Sequence, residues 1–148
     1  SSNAITVRAM SVSACSAAMA LKKGAVAVSI AHDSHNIIVT GASNKDMAAA
    51  VEVLDKQKGG MVAILDGQVL AAIPLPIAGL MSDKPAAEVD AAMDDLYDKA
   101  RRILGVSADV DVIMTLCFMS LPVIPKLKLL DTGLFDVEAF DFVPVELS

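Results

Sequence analysis

Both histidines of the chain lie in one short polar segment between two apolar stretches. This histidine segment reads His32, Asp33, Ser34, His35 and Asn36. An imidazole can transfer protons near neutral pH, a carboxylate can orient it, and hydroxyl and amide groups can hydrogen-bond a substrate. We therefore predict catalytic roles for His32, Asp33 and His35 and substrate-binding roles for Ser34 and Asn36. The alternative is a tight turn in which Asp33, Ser34 and Asn36 bond to their own backbone.

A self-sufficient metal centre is not predicted. The side chains at 32, 33 and 35 lie on a loop too short for all three to point at one ion, and no second group of histidines or cysteines completes the set. The sequence also lacks a Gly-x-Ser-x-Gly elbow and a Gly-x-Gly-x-x-Gly phosphate loop. We therefore expect no metal or cofactor to be held by this chain alone.

The charge of the chain argues against some binding partners, and its cysteines indicate a cellular compartment. Twelve basic and 18 acidic residues give a net charge of −6, which repels nucleic acid and anionic membranes. No uncharged stretch reaches the roughly 18 to 20 residues that a membrane-spanning helix needs. Cys15 and Cys117 lie far apart in apolar surroundings, which is typical of buried reduced thiols, so a cytoplasmic location is predicted.

The length predicts one domain, and the apolar composition predicts that part of its surface is covered by another protein surface. The chain has 148 residues, and its hydrophobic fraction of 55% exceeds the roughly 45–50% of an average soluble domain. The surplus favours contact with another domain or with a second copy of the chain. Residues 1–4 are expected to be a remnant of tag removal, and residues 5–148 form the predicted domain.

The elements that position the histidine segment are strands on both sides of it. Alternating or apolar runs predict strands at 5–10, 25–30 and 37–40, and Asp66-Gly67 predicts a hairpin between 61–65 and 68–73. Apolar stripes predict helices at about 45–57 and from about 82 to 104. Residues 110–120 are compatible with a strand or a buried helix, and 127–130 and 142–145 with extended chain. The predicted fold is α+β: a mixed or antiparallel sheet with two main helices covering one face.

Two apolar segments rich in proline interrupt this pattern. The first proline segment spans residues 74–83 and the second spans residues 121–131. Proline cannot donate to a strand ladder, so both segments are expected to end strands. Their apolar side chains are equally suited to wall a pocket or to dock against another domain.

Several sequence blocks, in the same order along the chain, resemble the carboxyl-terminal domain of bacterial adenine deaminases. They are LKKGAVA at 21–27, AHDSHNIIV at 31–39, PLPIAGLMS at 74–82, SLPVIP at 120–125 and GLFDV at 133–137. The blocks span nearly the whole chain, so the resemblance is specific.

The resemblance implies an enzyme of the amidohydrolase superfamily that hydrolyses adenine to hypoxanthine and ammonia in purine salvage. It implies a divalent transition metal, Mn or Fe, held in an upstream (β/α)₈ barrel that would be this domain's partner. This chain has no His-x-His pair, so we expect the isolated domain to be inactive. The histidine segment is then expected at the mouth of the active site, shielded by the two proline segments. The competing hypothesis is a non-catalytic module for packing, oligomerisation or small-ligand binding.

Overall fold

Among the residues that the structure describes, the main sheet has four antiparallel strands in the order β2-β1-β3-β4. A computed structural model of the chain describes residues 19–32, 34–124, 126–130 and 132–144. The strands are β1 (Ala25–Val28), β2 (Ile38–Gly41), β3 (Gly60–Leu65) and β4 (Gln68–Pro74). Asp66 and Gly67 both adopt positive φ, 53° and 77°, as a type I′ hairpin requires, so the predicted hairpin is confirmed. The strand predicted at 5–10 lies outside the described residues.

In the part of the chain that the structure describes, three helices of six residues or more and one π-helical turn accompany this sheet. Helix α1 (Asn44–Lys56) begins after Ser43, whose hydroxyl accepts a hydrogen bond from the Asp46 amide at 3.4 Å. Helix α2 (Ala86–Lys99) continues as a π-helical turn (Ala100–Leu104) that ends at the left-handed Gly105. The ambiguous stretch 110–120 contains helix α3 (Val112–Cys117). None of the helices among the described residues has the length and apolar character to cross a membrane.

The helices pack on opposite faces of the main sheet. Ala25 and Ala27 of β1 face α1, where Leu54 is fully buried. Val26 and Val28 point the other way, into a larger core that α2 and α3 complete. The α+β class with an antiparallel sheet is confirmed, but the two main helices do not cover the same face as we expected. The reason lies in the central strands, which are apolar on both sides and therefore need a helical layer on each.

A second, smaller sheet follows the helices. It contains β5 (Leu127–Leu130), β6 (Gly133–Asp136) and β7 (Asp141–Val143), all antiparallel and in chain order. The extended chain predicted at 127–130 and in the region of 142–145 corresponds to β5 and β7. None of the residues of this sheet whose burial is described belongs to the two core clusters on the main sheet.

Candidate functional site

The histidine segment forms the loop between β1 and β2, at one end of the main sheet. The antiparallel order brings the end of β1, the starts of β2 and β3 and the end of β4 to this same end. His32, Ser34, His35 and Asn36 are all exposed there. Asp33, the third residue predicted to be catalytic, lies outside the described residues. The fold thus presents both imidazoles to the surface at a junction of several chain segments.

His32 is held against the carboxyl end of α3. Its backbone N–H donates to the carbonyl of Cys117 at 2.6 Å. Its ring stacks on the ring of Phe118, with the centroids 5.4 Å apart and the planes 16° apart. Because a backbone bond and a ring contact act together, the imidazole of His32 is anchored on one face while the residue remains exposed.

Residues 34–36 of the histidine segment lie in a turn with one tie to Ser120, the residue before the second proline segment. The His35 amide donates to the carbonyl of Ala31 at 2.9 Å, and His35 has φ +51°. A histidine in the left-handed region is uncommon and carries a conformational cost, as residues at functional sites often do. The Ser34 and Ser120 hydroxyls lie 3.2 Å apart, and Ser120 is buried. Ser34 therefore bonds to a distant segment, whereas the turn hypothesis had it bond to its own backbone.

Helix α3 is itself anchored at its amino end by Asp111. One carboxylate oxygen of Asp111 accepts from the Met114 amide at 2.9 Å and from the Tyr97 hydroxyl at 2.6 Å. Burial, and after it the hydrogen bond to Asp111, raises the pKa of Tyr97 far above its ordinary value, so Tyr97 is a neutral donor. A chain of contacts therefore runs from α2 through α3 to His32.

Cys117 is buried, and burial raises the pKa of its thiol. A thiol in that state is protonated near neutral pH and is a poor nucleophile. The contribution of Cys117 to the site is consequently its backbone carbonyl, which accepts from His32.

The first proline segment is fixed to the same end of the sheet by Ser29. The buried Ser29 hydroxyl accepts from the Gly60 amide at 2.7 Å and donates to the Gly79 carbonyl at 2.7 Å. Gly59 also packs closely here, because a Cβ on it would lie 2.5 Å from the Gly79 Cα. The segment therefore leaves the sheet beside the loop that carries the histidines, in a fixed position.

Apolar side chains are exposed on both proline segments. Met81 of the first is 58% exposed and Val123 of the second is 71% exposed, and Ile77 and Ile124 are exposed as well. Ile77 and Met81 exchange two backbone hydrogen bonds, so the tip of the first segment is a closed turn. Exposed apolar side chains thus lie on both proline segments, which suits contact with another surface.

The described residues do not fit the metal that the resemblance implies. A transition-metal centre needs three or more converging His, Cys, Asp or Glu side chains. No such group occurs in residues 19–32, 34–124, 126–130 and 132–144. We therefore assign no chemical step on this chain to a bound metal.

A shallow groove lies at the opposite end of the main sheet. It has a volume of about 220 Å³ and is lined by Lys22, Lys23, Lys45, Asp46 and Asp66, among others. Its charges are mixed, and Asp46 already accepts from the Gly67 amide at 2.8 Å. The groove lacks the imidazoles of the histidine segment.

The contacts that hold the site involve residues that sequence reasoning did not single out. Phe118 and Ser120 contact the histidine segment. Tyr97 and Asp111 together anchor the amino end of α3. One signal was available: an aspartate directly before an apolar run is a common helix N-cap, and Asp111 occupies that position. The long-range pairings left no such signal.

Comparison with known proteins is consistent with this architecture. A sequence profile described as "Adenine deaminase C-terminal domain" matches residues 8–141. "Adenine deaminase 2" of Desulfotalea psychrophila is 55% identical over 126 residues, which cover 85% of this chain and 22% of that protein. "Adenine deaminase 2" of Carboxydothermus hydrogenoformans is 54% identical over 129 residues, or 87% of this chain and 22% of that protein. "Adenine deaminase" of Nitratidesulfovibrio vulgaris is 51% identical over 125 residues, or 84% and 22% respectively.

Proposed function

The chain belongs to the adenine deaminase C-terminal domain family, and we propose that it works as the carboxyl-terminal part of a longer enzyme that hydrolyses adenine to hypoxanthine and ammonia. The family profile covers residues 8–141, and the chain spans about a fifth of the length of the curated relatives it matches. The remaining part of such an enzyme would be the (β/α)₈ barrel with its metal-dependent chemistry, and the activity would belong to purine salvage. The cytoplasm, where thiols such as Cys117 stay reduced, is the proposed compartment.

Within that enzyme we assign the histidine segment to the mouth of the active site. The observation that carries this assignment is the contact of the exposed histidine segment with residues 117–120. His32 is anchored by Cys117 and Phe118, and Ser34 by Ser120. An imidazole held in this way can donate or accept a hydrogen bond with little further loss of freedom, which lowers the cost of orienting a bound base.

The exposed apolar side chains beside the histidine segment have a role in the same proposal. When the longer enzyme closes over Met81 and Val123, their burial would remove water from around the imidazoles. Hydrogen bonds to a substrate are stronger where water is excluded. The two proline segments would thus form a dry rim, and the histidine segment would supply the polar contacts inside it.

The test uses this chain in the context of a whole enzyme. The matched region of the Desulfotalea psychrophila protein is replaced by this chain, and kcat/KM for adenine is measured from ammonia release. His35→Asn is the informative variant because asparagine tolerates positive φ and the imidazole alone is lost. We expect kcat/KM to fall tenfold or more, about 1.4 kcal/mol of transition-state stabilisation.

The matched control is Lys58→Asn. Lys58 also has positive φ and is exposed, but it lies in the turn after α1. Lys58→Asn should leave kcat/KM within a factor of two of the hybrid enzyme without substitutions. The isolated 148-residue chain should release no ammonia from adenine. An unchanged kcat/KM in both His35→Asn and His32→Asn would leave the non-catalytic module as the better hypothesis.

A further inference from the structure

The second sheet exposes aromatic side chains that no described helix covers. Phe135 of β6 is buried under two other rings, Phe140 at 5.4 Å and Phe142 at 5.3 Å between centroids, both in edge-on arrangements. The two covering residues are themselves 79% and 52% exposed. We call these three residues the phenylalanine face. Three short strands with one exposed aromatic side need a further surface for full stability.

Phe140 is displayed at a conformational cost. It lies in the turn between β6 and β7 with φ +54°, a region that bulky side chains rarely adopt. Asp136 supports the turn, because its carboxylate accepts from the amides of Glu138 and Ala139 at 2.9 and 3.0 Å. A strained, 79% exposed aromatic residue resembles the central anchor of a binding surface.

The size of this face decides between two occupants. Three strands of about four residues present on the order of 200 Å² per side, from strand spacings of about 4.8 Å and a rise of about 3.4 Å per residue. A stable contact between separate molecules buries about 800 Å² on each partner. A second copy of the chain would therefore gain too little area from this face. An attached domain needs less, because the linking polypeptide raises its effective concentration.

We propose that the phenylalanine face docks against an apolar pocket in the remainder of the longer polypeptide. The inference rests on the proposal that this chain is one domain of a longer enzyme. The chain covers 22% of its relatives' length, which leaves enough polypeptide to supply such a pocket. This contact is separate from the histidine segment, because the phenylalanine face belongs to the second sheet.

Hydrogen–deuterium exchange tests the docking in the isolated chain and in the hybrid enzyme described above. We expect amides of residues 133–143 to exchange at least tenfold more slowly in the hybrid, while the hairpin turn at 66–68 exchanges equally in both. Sedimentation velocity over a hundredfold range of concentration should find the isolated chain monomeric. Equal exchange at 133–143 would overturn the proposal, and so would a dimer of the isolated chain that Phe140→Asp dissociates.

A pair of variants makes the test specific to the face. Phe140→Asp in the hybrid should return exchange at 133–143 to the rate of the isolated chain, whereas Val69→Asp should not. Val69 is 49% exposed on β4 beside the hairpin turn and gives the same chemical change elsewhere. Persistent protection in Phe140→Asp would contradict the proposal. A protected but inactive hybrid would refute the deaminase function alone, and an active hybrid without protection would refute the docking alone.

Discussion

Removing the carboxylate of Asp111 should disturb His32 through helix α3. Asp111 caps α3 and accepts a hydrogen bond from the Tyr97 hydroxyl. The far end of α3 holds His32 through the Cys117 carbonyl and the Phe118 ring. Helix α3 has six residues, too few to be stable without its caps and its packing. Asp111→Ala should therefore loosen the support of the histidine segment.

The expected loss of stability follows from two hydrogen bonds. Losing the N-cap bond to the Met114 amide costs about 1 kcal/mol. Losing the bond from Tyr97 costs about 1 kcal/mol more, since Asp111 is exposed and water replaces part of the interaction. The sum of about 2 kcal/mol corresponds to a fall in Tm of roughly 4 to 8 °C for a chain of this size.

Urea unfolding and proton NMR provide the assay. The chain has two histidines, so the imidazole region of the proton NMR spectrum contains the signals of two residues. The signals that disappear in His35→Asn belong to His35. Asp111→Ala should shift the His32 signal, which senses the ring current of Phe118, and should move the His35 signal less. Asp111→Asn is the matched control because asparagine caps helices equally well, and it should lose less than half as much stability.

Two results would refute this reasoning. One is an Asp111→Ala variant whose unfolding free energy matches that of the parent chain. The other is a destabilised variant in which the His32 signal keeps its position, because the contacts would then not be transmitted through α3.

Three further predictions concern single contacts. Because the pKa of the Tyr97 hydroxyl is raised in the folded chain, the unfolded chain loses the hydroxyl proton at a lower pH than the folded chain does. The free energy of unfolding should therefore fall above pH 10.0, and Tyr97→Phe should weaken that fall in a pH series of urea melts. Ser29→Ala should cost about 1 to 3 kcal/mol and speed exchange of the amides at 77–81, since the Gly79 carbonyl loses its donor; unchanged exchange would contradict the tie. Thr40→Val should be neutral or stabilising by thermal melt, because the buried Thr40 hydroxyl has no partner among the described residues.

Local signals in the sequence predicted much of the fold. The Asp66-Gly67 pair fixed the hairpin, and Ser43 with the apolar stripe behind it placed α1 within one residue of its observed ends. Such features depend on neighbours within a few positions. The placement of α1 and α2 on opposite faces depends on which side of β1 each helix reaches, and the pattern of β1 is apolar on both sides. Periodicity therefore could not distinguish the two arrangements.

The sequence indicated where the candidate site lies but did not indicate the contacts that hold it. The composition of residues 32–36 identified the segment, because two imidazoles among polar residues are unusual in a chain with few histidines. Its supports lie 86 residues away in the pairs His32 with Phe118 and Ser34 with Ser120. Pairings over such distances are set by tertiary packing, so no local pattern could reveal them.

The claim that the histidine segment borders the bound base can be tested by photoaffinity labelling of the hybrid enzyme. A photoreactive azide derivative of adenine is bound, illuminated and located on the chain by peptide mass spectrometry, with excess adenine as competitor. Our account predicts adenine-protected labels within residues 30–37 or 118–124. Protected labels confined to the groove lined by Lys22, Lys45 and Asp66, or an active hybrid with no protected label on this chain, would contradict it.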